Sequence, residues 1–280
     1  MKLVLGAVQF GLDYGISNHG GQVTISEAKN ILNYAKDNGI DTLDTAASYG
    51  NSEEVLGAVG VDDFQVITKT ISLENDVDKV IEGFYQSLES LDQKQIKGLL
   101  VHDFSNIENK EFDVLFSKLN ELKQQGLIEK IGFSTYTPEQ VDFLLKNFDF
   151  DLIQAPFNVF DDRLARGGQL KVLKNNGVEV HVRSVFLQGL LLDFDSLSDY
   201  FSIWDGKFKY YQKIVQESGL SLLEYALNFA LNTQEIDKVL VGVNSERQLK
   251  EIVQAVKGPS SLSAYPIDDI NLLNPSLWKT

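Results

Sequence analysis

The chain has 280 residues, of which 43% are hydrophobic and 23% charged, as in ordinary globular proteins. Its net charge of −15 excludes the basic surface that nucleic-acid binding requires and argues against an anionic membrane as a partner. The chain has no cysteine, which excludes disulfides, thiolate metal sites and a cysteine nucleophile. No apolar run approaches the roughly 18 residues of a membrane span, and the N-terminus lacks a signal-peptide pattern, so we expect a cytoplasmic protein.

Short apolar segments alternate with amphipathic helical segments along the sequence. The predicted strands cover residues 4–8, 40–45, 64–69, 96–102, 128–134, 150–155, 178–185 and 238–243. The first predicted helix begins at the N-cap Ser26 and stops at Gly39. The other predicted helices cover residues 51–59, 76–91, 111–125, 139–147, 170–174, 221–231 and 245–256.

Strict alternation of strands and helices predicts a parallel sheet covered by helices. Eight such units indicate closure into a (β/α)₈ TIM barrel, and we expect residues 1–280 to form a single α/β domain. The alternative, a doubly wound open sheet, usually carries a Gly-x-Gly-x-x-Gly turn, which is absent here. Residues 186–218 are too long for a plain connection and are rich in aromatic residues, so we expect a functional loop there. We expect this loop and the tail, residues 259–280, to lie near the functional site.

Ionisable side chains follow three consecutive predicted strands, at the ends that meet in a barrel of this type. Asp44 ends the second strand with Tyr49 just beyond it, Lys69 ends the third and His102 ends the fourth. An ammonium beside a phenol stabilises the phenolate, and a carboxylate can hold the ammonium in place. Each residue alone has an ordinary explanation, such as a capping aspartate or a solvated lysine. Their joint occurrence in order predicts a proton-transfer site.

From the first strand to the last helix, the sequence resembles the aldo-keto reductases. Asp44-Thr-Ala-Ala-Ser-Tyr49-Gly50 resembles the family's second-strand signature, which supplies its catalytic Asp and Tyr. Lys69 after Thr68 and His102 after Val101 stand where that family has its catalytic Lys and His. The resemblance implies that Tyr49 donates a proton to a carbonyl oxygen, Lys69 makes Tyr49 more acidic, Asp44 anchors Lys69, and His102 orients the substrate. The sequence shows no metal-ligand spacing, and this chemistry needs no metal ion.

The same resemblance implies a nicotinamide cofactor along the later strand ends. It assigns the nicotinamide carboxamide to Ser134 and Gln154, with Thr135 replacing a common Asn. It assigns the pyrophosphate to the segment after the seventh strand and the adenosine end to the segment after the eighth. Because the aromatic segment follows the seventh strand, we expect residues 200–211 to close over the bound cofactor. The residues implied to hold the cofactor are Ser134, Thr135, Gln154, Ser184, Phe186, Gln188, Gly189, Gly242, Asn244, Ser245, Arg247 and Gln248.

The implied activity is NAD(P)H-dependent reduction of an aldehyde, a ketone or a sugar carbonyl. We expect NADP as the cofactor and keep NAD as the alternative, because the family's common Lys and Arg for the 2′-phosphate are missing and only Arg247 lies nearby. Two other functions stay open at this point. One is a non-catalytic or redox-sensing cofactor-binding protein, and the other is a (β/α)₈ lyase that uses Lys69 as a Schiff base.

Overall fold

The computed structural model describes residues 1–16, 18, 20–74, 76–195, 197–258 and 261–279. Position 196 of the expected loop and positions 259, 260 and 280 of the expected tail therefore lie outside the described residues. Within these ranges, every helix is too short or too polar to cross a bilayer.

In the described part of the chain, eight parallel strands form a closed barrel in sequence order. The first strand pairs with the second, Leu5 opposite Leu43, and also with the eighth, Leu5 opposite Val241, which closes the sheet. The predicted (β/α)₈ barrel is confirmed, and the open sheet is excluded because no sheet edge is left free. The strands are β1 (Leu3–Gly6), β2 (Thr42–Asp44), β3 (Gln65–Lys69), β4 (Ile96–Val101), β5 (Ile128–Ser134), β6 (Leu152–Pro156), β7 (Glu179–Arg183) and β8 (Lys238–Gly242).

The helices alternate with these strands, with some additions. The described α-helices are α1 (Val8–Gly11), α2 (Ile25–Asp37), α3 (Ser52–Val59), α4 (Val77–Ser90), α5 (Phe112–Gln124), α6 (Pro138–Asn147), α7 (Arg163–Arg166), α8 (Gln169–Asn175), α9 (Asp205–Ser218), α10 (Leu222–Leu231), α11 (Glu246–Ala255) and α12 (Ile270–Leu273). Short 3₁₀ helices cover Phe104–Glu108, Leu187–Gly189, Asp199–Trp204 and Pro275–Leu277.

Local side-chain hydrogen bonds set where the main helices begin. Ser221 and Glu224 form a capping box at the start of α10, in which each side chain accepts from the other residue's backbone N–H. The N-cap of α2 is Thr24, whose hydroxyl accepts from the backbone N–H of Glu27 at 3.3 Å, so the prediction of Ser26 was wrong. Thr24 has the extended backbone that a cap requires, whereas Ser26 already lies in the first turn.

Strands and helices do not alternate strictly one to one, and residues 186–218 are not a continuous loop. Two helices, α7 and α8, lie between β6 and β7, and α9 and α10 lie between β7 and β8. Within the expected loop, Asp205–Ser218 is a regular helix. It forms because Phe208, Tyr211 and Val215 fall at helical spacing and bury one face. Its end at Gly219, with φ of 73°, uses a conformation that glycine adopts without strain.

Most aromatic side chains of this segment belong to the hydrophobic core, and Tyr210 is the exposed exception. Phe208 stacks on Phe160, with ring centroids 6.0 Å apart, and on Phe194 at 4.9 Å. Phe201 and Trp204 are also buried. The rings are therefore already occupied by packing contacts.

A small apolar cluster fills the barrel below its C-terminal end. Ile67, Leu100 and Leu152 form a buried cluster separate from the main core. Ile67 is two residues before Lys69 in β3, so both side chains point to the same face, the inside of the barrel. Gly132 makes room for this cluster, because a Cβ there would lie 2.8 Å from a side-chain carbon of Leu100. The polar side chains above it therefore rest on a packed apolar layer.

Candidate active site

A cavity of about 470 Å³ opens at the C-terminal ends of the strands. In barrels of this type, that end is where functional side chains converge. The residues that line it are Gly6, Val8, Gln9, Tyr14, Gly15, Tyr49, His102, Ser134, Tyr136, Gln154, Arg183, Ser184, Val185, Phe186, Gln188, Gly189, Leu192, Leu223, Leu240, Gly242, Asn244, Gln248, Glu251 and Ile252.

A buried ion pair lies beneath the cavity. Lys69 Nζ is 2.5 Å from Asp44 Oδ1, and both side chains are only 1% exposed. Lys69 also donates to the carbonyl oxygen of Thr45 at 2.7 Å, and Gln154 Nε2 donates to Asp44 Oδ2 at 2.6 Å. Burial lowers the pKa of Lys69, but the charge of Asp44 and its hydrogen bond to the ammonium outweigh this effect, and the pKa stays above its usual value. Lys69 is therefore a fixed positive charge with both oxygens of its partner engaged.

Tyr49 and His102 lie directly above this pair. The Tyr49 ring centroid is 5.1 Å from Lys69 Nζ, and the Tyr49 and His102 rings meet edge to face at 5.7 Å. His102 Nδ1 is 3.2 Å from Ser48 Oγ. Burial, followed by the charge of Lys69, lowers the pKa of His102 to about 4. The imidazole is therefore neutral near pH 7, and its Nε2 is the ring nitrogen left for a ligand.

Most residues expected to hold a cofactor line this cavity. They are Ser134, Gln154, Ser184, Phe186, Gln188, Gly189, Gly242, Asn244 and Gln248. Gln154 Nε2 is committed to Asp44, so its carbonyl oxygen is the atom left for a ligand. Thr135, Ser245 and Arg247 do not line the cavity. The Thr135 hydroxyl is buried without a hydrogen-bond partner among the described residues, and Ser245 caps α11 by accepting from the backbone N–H of Gln248 at 3.3 Å.

The backbone after β7 is strained where it borders the cavity. Ser184, Leu187 and Gln188 have φ values of 59°, 47° and 55°, a region that favours glycine. Such conformations cost about 1–3 kcal/mol each and persist where the surroundings impose them, often at binding sites. The strain places the side chain of Gln188 at the cavity, where its Nε2 donates to the hydroxyl of Tyr14 at 3.0 Å.

Two buried acceptors at the β1 and β8 end of the cavity lack partners among the described residues. They are Gln9 Oε1 and Asn244 Oδ1. A buried acceptor without a donor costs free energy, so this end of the cavity suits a ligand that brings hydroxyl or amide donors. The ribose hydroxyls and carboxamide of a nicotinamide dinucleotide are such donors, and the residues present therefore fit that group.

The expected cation for a 2′-phosphate points away from the cavity. Arg247 is 83% exposed, and its Nε lies 3.8 Å from Glu251 Oε1. Glu251 itself lines the cavity, and the carboxylate of Glu27 accepts from the backbone N–H of Glu246 at 2.7 Å. The local charge at this end of the cavity is acidic.

Several residues of the site carry no signal, or only a weak one, in the sequence. Gln9 lies in the short helix α1 and Tyr14 in the segment after it, and no sequence motif marks either side chain. Arg183 was visible as a strand end, the same signal that found Lys69. Glu53 is buried beside β3, where Thr68 Oγ1 donates to its Oε1 at 2.5 Å, and burial raises its pKa. Its position in the first turn of α3, just after Tyr49, was the signal available for it.

Comparison with known proteins places this barrel in a family. The sequence model of the Aldo/keto reductase family matches residues 2–274, so the chain belongs to that family, as its motifs predict. Its members are oxidoreductases that use nicotinamide cofactors. The chain is 27% identical over 255 residues to an uncharacterized oxidoreductase of Bacillus subtilis, covering 82% of each chain. It is 26% identical over 292 residues to L-glyceraldehyde 3-phosphate reductase of Escherichia coli, covering 88% of this chain and 83% of that protein.

Solved structures share the fold. An aldo-keto reductase from Bacillus halodurans, in its holo form, superposes with a TM-score of 0.76 at 22% identity, covering 93% of this chain and 88% of that one. The glycerol dehydrogenase of Gluconobacter oxydans superposes with a TM-score of 0.71 at 21% identity, with the same coverage.

Proposed function

We propose that this protein reduces a small aldehyde, ketone or sugar carbonyl with a reduced nicotinamide cofactor. The observation that carries the proposal is the convergence of Tyr49 and a neutral His102 at one cavity wall, directly above the buried, charged Lys69. A phenol next to a fixed ammonium can release its proton to a developing alkoxide. The curated relative that acts on L-glyceraldehyde 3-phosphate supports a small carbonyl substrate.

Each residue has a distinct task in this proposal. A bound reduced nicotinamide supplies the hydride. Tyr49 donates its hydroxyl proton to the carbonyl oxygen, and the ammonium of Lys69 stabilises the phenolate that remains. Asp44 keeps Lys69 charged and in position, and Gln154 holds the second oxygen of Asp44. His102, being neutral, donates a hydrogen bond from Nε2 to the carbonyl oxygen once Nδ1 accepts from Ser48.

The cofactor is proposed to lie along the strand ends from β5 to β8. Ser134 and Gln154 would hold the nicotinamide carboxamide, and the strained segment at Ser184 and Gln188 would border the pyrophosphate. Asn244 and Gln9 offer the free acceptors described above. These roles rest on the cavity lining and on the family to which the chain belongs.

The proposed preference for NADPH over NADH depends on Arg247. A 2′-phosphate brings about two negative charges to an acidic surface, so it needs Arg247 to leave Glu251 and turn inward. We expect a preference of no more than about tenfold, equivalent to about 1.4 kcal/mol. In titrations of cofactor fluorescence, Arg247→Ala should weaken NADPH binding and leave NADH binding unchanged. Equal NADPH affinity in the two proteins would exclude Arg247 as the phosphate ligand.

The central test is Tyr49→Phe. It keeps the ring and removes the proton, so turnover should fall at least about 10²-fold while cofactor affinity stays within a few-fold. Single-turnover reduction and cofactor titration measure the two quantities separately. Turnover near that of the wild type would show that another group delivers the proton.

The structure argues against a Schiff-base lyase. A lysine nucleophile must be neutral, whereas Lys69 is paired with Asp44 and its pKa is raised. Borohydride should therefore trap no carbonyl adduct on Lys69. Steady-state assays on a panel of carbonyl compounds distinguish the proposed reductase, which turns substrate over, from a redox-sensing protein, which does not.

A further inference from the structure

Arg183 projects into the cavity from the end of β7. Its guanidinium carbon lies 4.2 Å from the centroid of the Tyr136 ring, and the two flat groups are in cation–π contact. One guanidinium nitrogen donates to the carbonyl oxygen of Thr135 at 3.1 Å, and the other lies 3.3 Å from Ser184 Oγ. These contacts with uncharged groups orient the guanidinium of Arg183 and leave its positive charge uncompensated.

No carboxylate of the described residues lies within 4 Å of this guanidinium, although the chain is strongly acidic overall. Other arginines behave differently. Arg163 pairs with Asp161 at 2.7 Å, and Arg166 pairs with both Asp162 and Asp268 at 2.6 Å. Among the described residues, Arg183 is also the only lysine or arginine that lines the cavity. Of the arginines that the structure describes, Arg183 alone is partly buried and lies without a carboxylate partner.

The charge of Arg183 acts on the proton-transfer group. It contributes to the lowered pKa of His102, after burial and the charge of Lys69, and it opposes the burial that raises the pKa of Tyr14. It therefore lies within electrostatic range of the atoms where a carbonyl would sit. An anionic ligand would be repelled by the net charge of −15 unless a local cation attracted it.

We propose that Arg183 binds an anionic group of the substrate, so that this enzyme acts on small carbonyl compounds that carry a carboxylate or a phosphate. The inference rests on the proposed reductase function and names the substrate class of the same site. The carbonyl is held at Tyr49 and His102, and the anionic group is held by the guanidinium, whose planar donors match carboxylate and phosphate oxygens. Tyr136 supports the guanidinium from its other side.

The test compares matched pairs of substrates that differ in one anionic group. Glyceraldehyde 3-phosphate is paired with glyceraldehyde, and 4-oxobutanoate is paired with butanal. The measured quantity is the ratio of kcat/KM for the acidic member to that for the neutral member, in wild type and Arg183→Gln. We expect the substitution to lower this ratio by about 10- to 100-fold, the range of a hydrogen bond to a charged group. The phosphate and carboxylate pairs show which anion is preferred.

Two further variants make the result specific. Arg183→Lys keeps the charge without the planar donors and should recover part of the ratio. Lys209→Gln removes one positive charge from an exposed position on α9, outside the cavity, and should leave the ratio unchanged. Thermal unfolding of each variant shows whether it is folded.

Binding without turnover separates this inference from the proposed activity. In calorimetric titrations, glycerol 3-phosphate should bind the wild type more tightly than glycerol does, and Arg183→Gln should remove the difference. If Arg183→Gln weakens NADPH and NADH binding and leaves both ratios unchanged, the guanidinium serves the cofactor pyrophosphate and the inference is wrong. If the anion difference is present but no carbonyl is reduced, the anion site stands and the proposed reductase fails.

Discussion

At the scale of single residues, the fixed charge of Lys69 organises the protonation of the site. It is one cause of the lowered pKa of His102, and it lies against the ring of Tyr49. Asp44 makes this charge tolerable in a dry environment, since a buried ammonium without a partner would lose its proton. The surroundings of Lys69 therefore keep it charged, and the surroundings of His102 keep it neutral.

The state of His102 can be followed by pH. Its pKa of about 4 means that the native imidazole stays neutral from pH 7 to pH 5, so kcat/KM should not fall near pH 6.5. The unfolded chain takes up this proton from about pH 6.5 downwards, whereas the native state does not until about pH 4. Stability should therefore decrease as the pH falls through this window, and by less in His102→Gln. A titration of the His102 ring by NMR near pH 6.5 would contradict this prediction.

The Asp44–Lys69 pair predicts strong coupling. Asp44→Asn or Lys69→Met alone leaves a buried charge without its partner and should destabilise the fold by about 3–5 kcal/mol. The double variant should lose clearly less than the sum of the two, because neither charge remains. Urea unfolding of all four proteins measures the coupling. Additive losses would mean that the two groups do not interact in solution.

At the scale of elements, the connection between β7 and β8 divides into two parts with different tasks. Its first part, with Ser184 and Gln188 in left-handed conformations, borders the cavity. Its second part, α9, buries its aromatic face against Phe160 and Phe194. In the structure, the rings of residues 200–211 do not line the cavity, so the expected closure over a cofactor has no support from their positions.

Phe208 tests this division. Phe208→Ala removes a ring that is 2% exposed, and it should cost about 3–5 kcal/mol of stability while cofactor affinity stays unchanged. Tyr210→Ala, at a ring that is 55% exposed, is the matched control and should cost about 1 kcal/mol or less. Denaturant unfolding and cofactor titration give the two readouts. Loss of cofactor affinity without loss of stability would instead support closure of residues 200–211 over the cofactor.

At the scale of the whole molecule, barrel closure brings distant parts of the sequence to one cavity. β1 pairs with β8, which places Gln9 next to Gly242, and Tyr14 reaches Gln188 across the cavity. Because the first and last strands share one sheet, we propose that the chain folds as a single domain. The interior is closed below the site by Ile67, Leu100 and Leu152.

Gly132 probes the fit of this interior layer. A Cβ at Gly132 would lie 2.0 Å from the carbonyl oxygen of Leu152, so Gly132→Ala should destabilise the barrel by at least about 1–3 kcal/mol. Gly206→Ala is the control, because no atom lies within 4 Å of its added Cβ and it stands in a helix. It should be neutral or stabilising, by up to about 1 kcal/mol. Thermal unfolding compares them, and equal Tm values would show that β5 and β6 can move apart.

The amino-acid sequence was enough to predict the barrel and the order of its strands, because hydrophobic periodicity and strand-end residues are local signals. It also indicated Asp44, Tyr49, Lys69 and His102, since each stands at a strand end and closure of a parallel barrel brings all such ends together. The direction of each side chain became clear only in the folded barrel. Arg247 faces solvent on α11. Gln154 is engaged by Asp44, and Arg183 contacts Tyr136 and has no acid partner among the described residues, because these two outcomes depend on contacts between residues far apart in the chain.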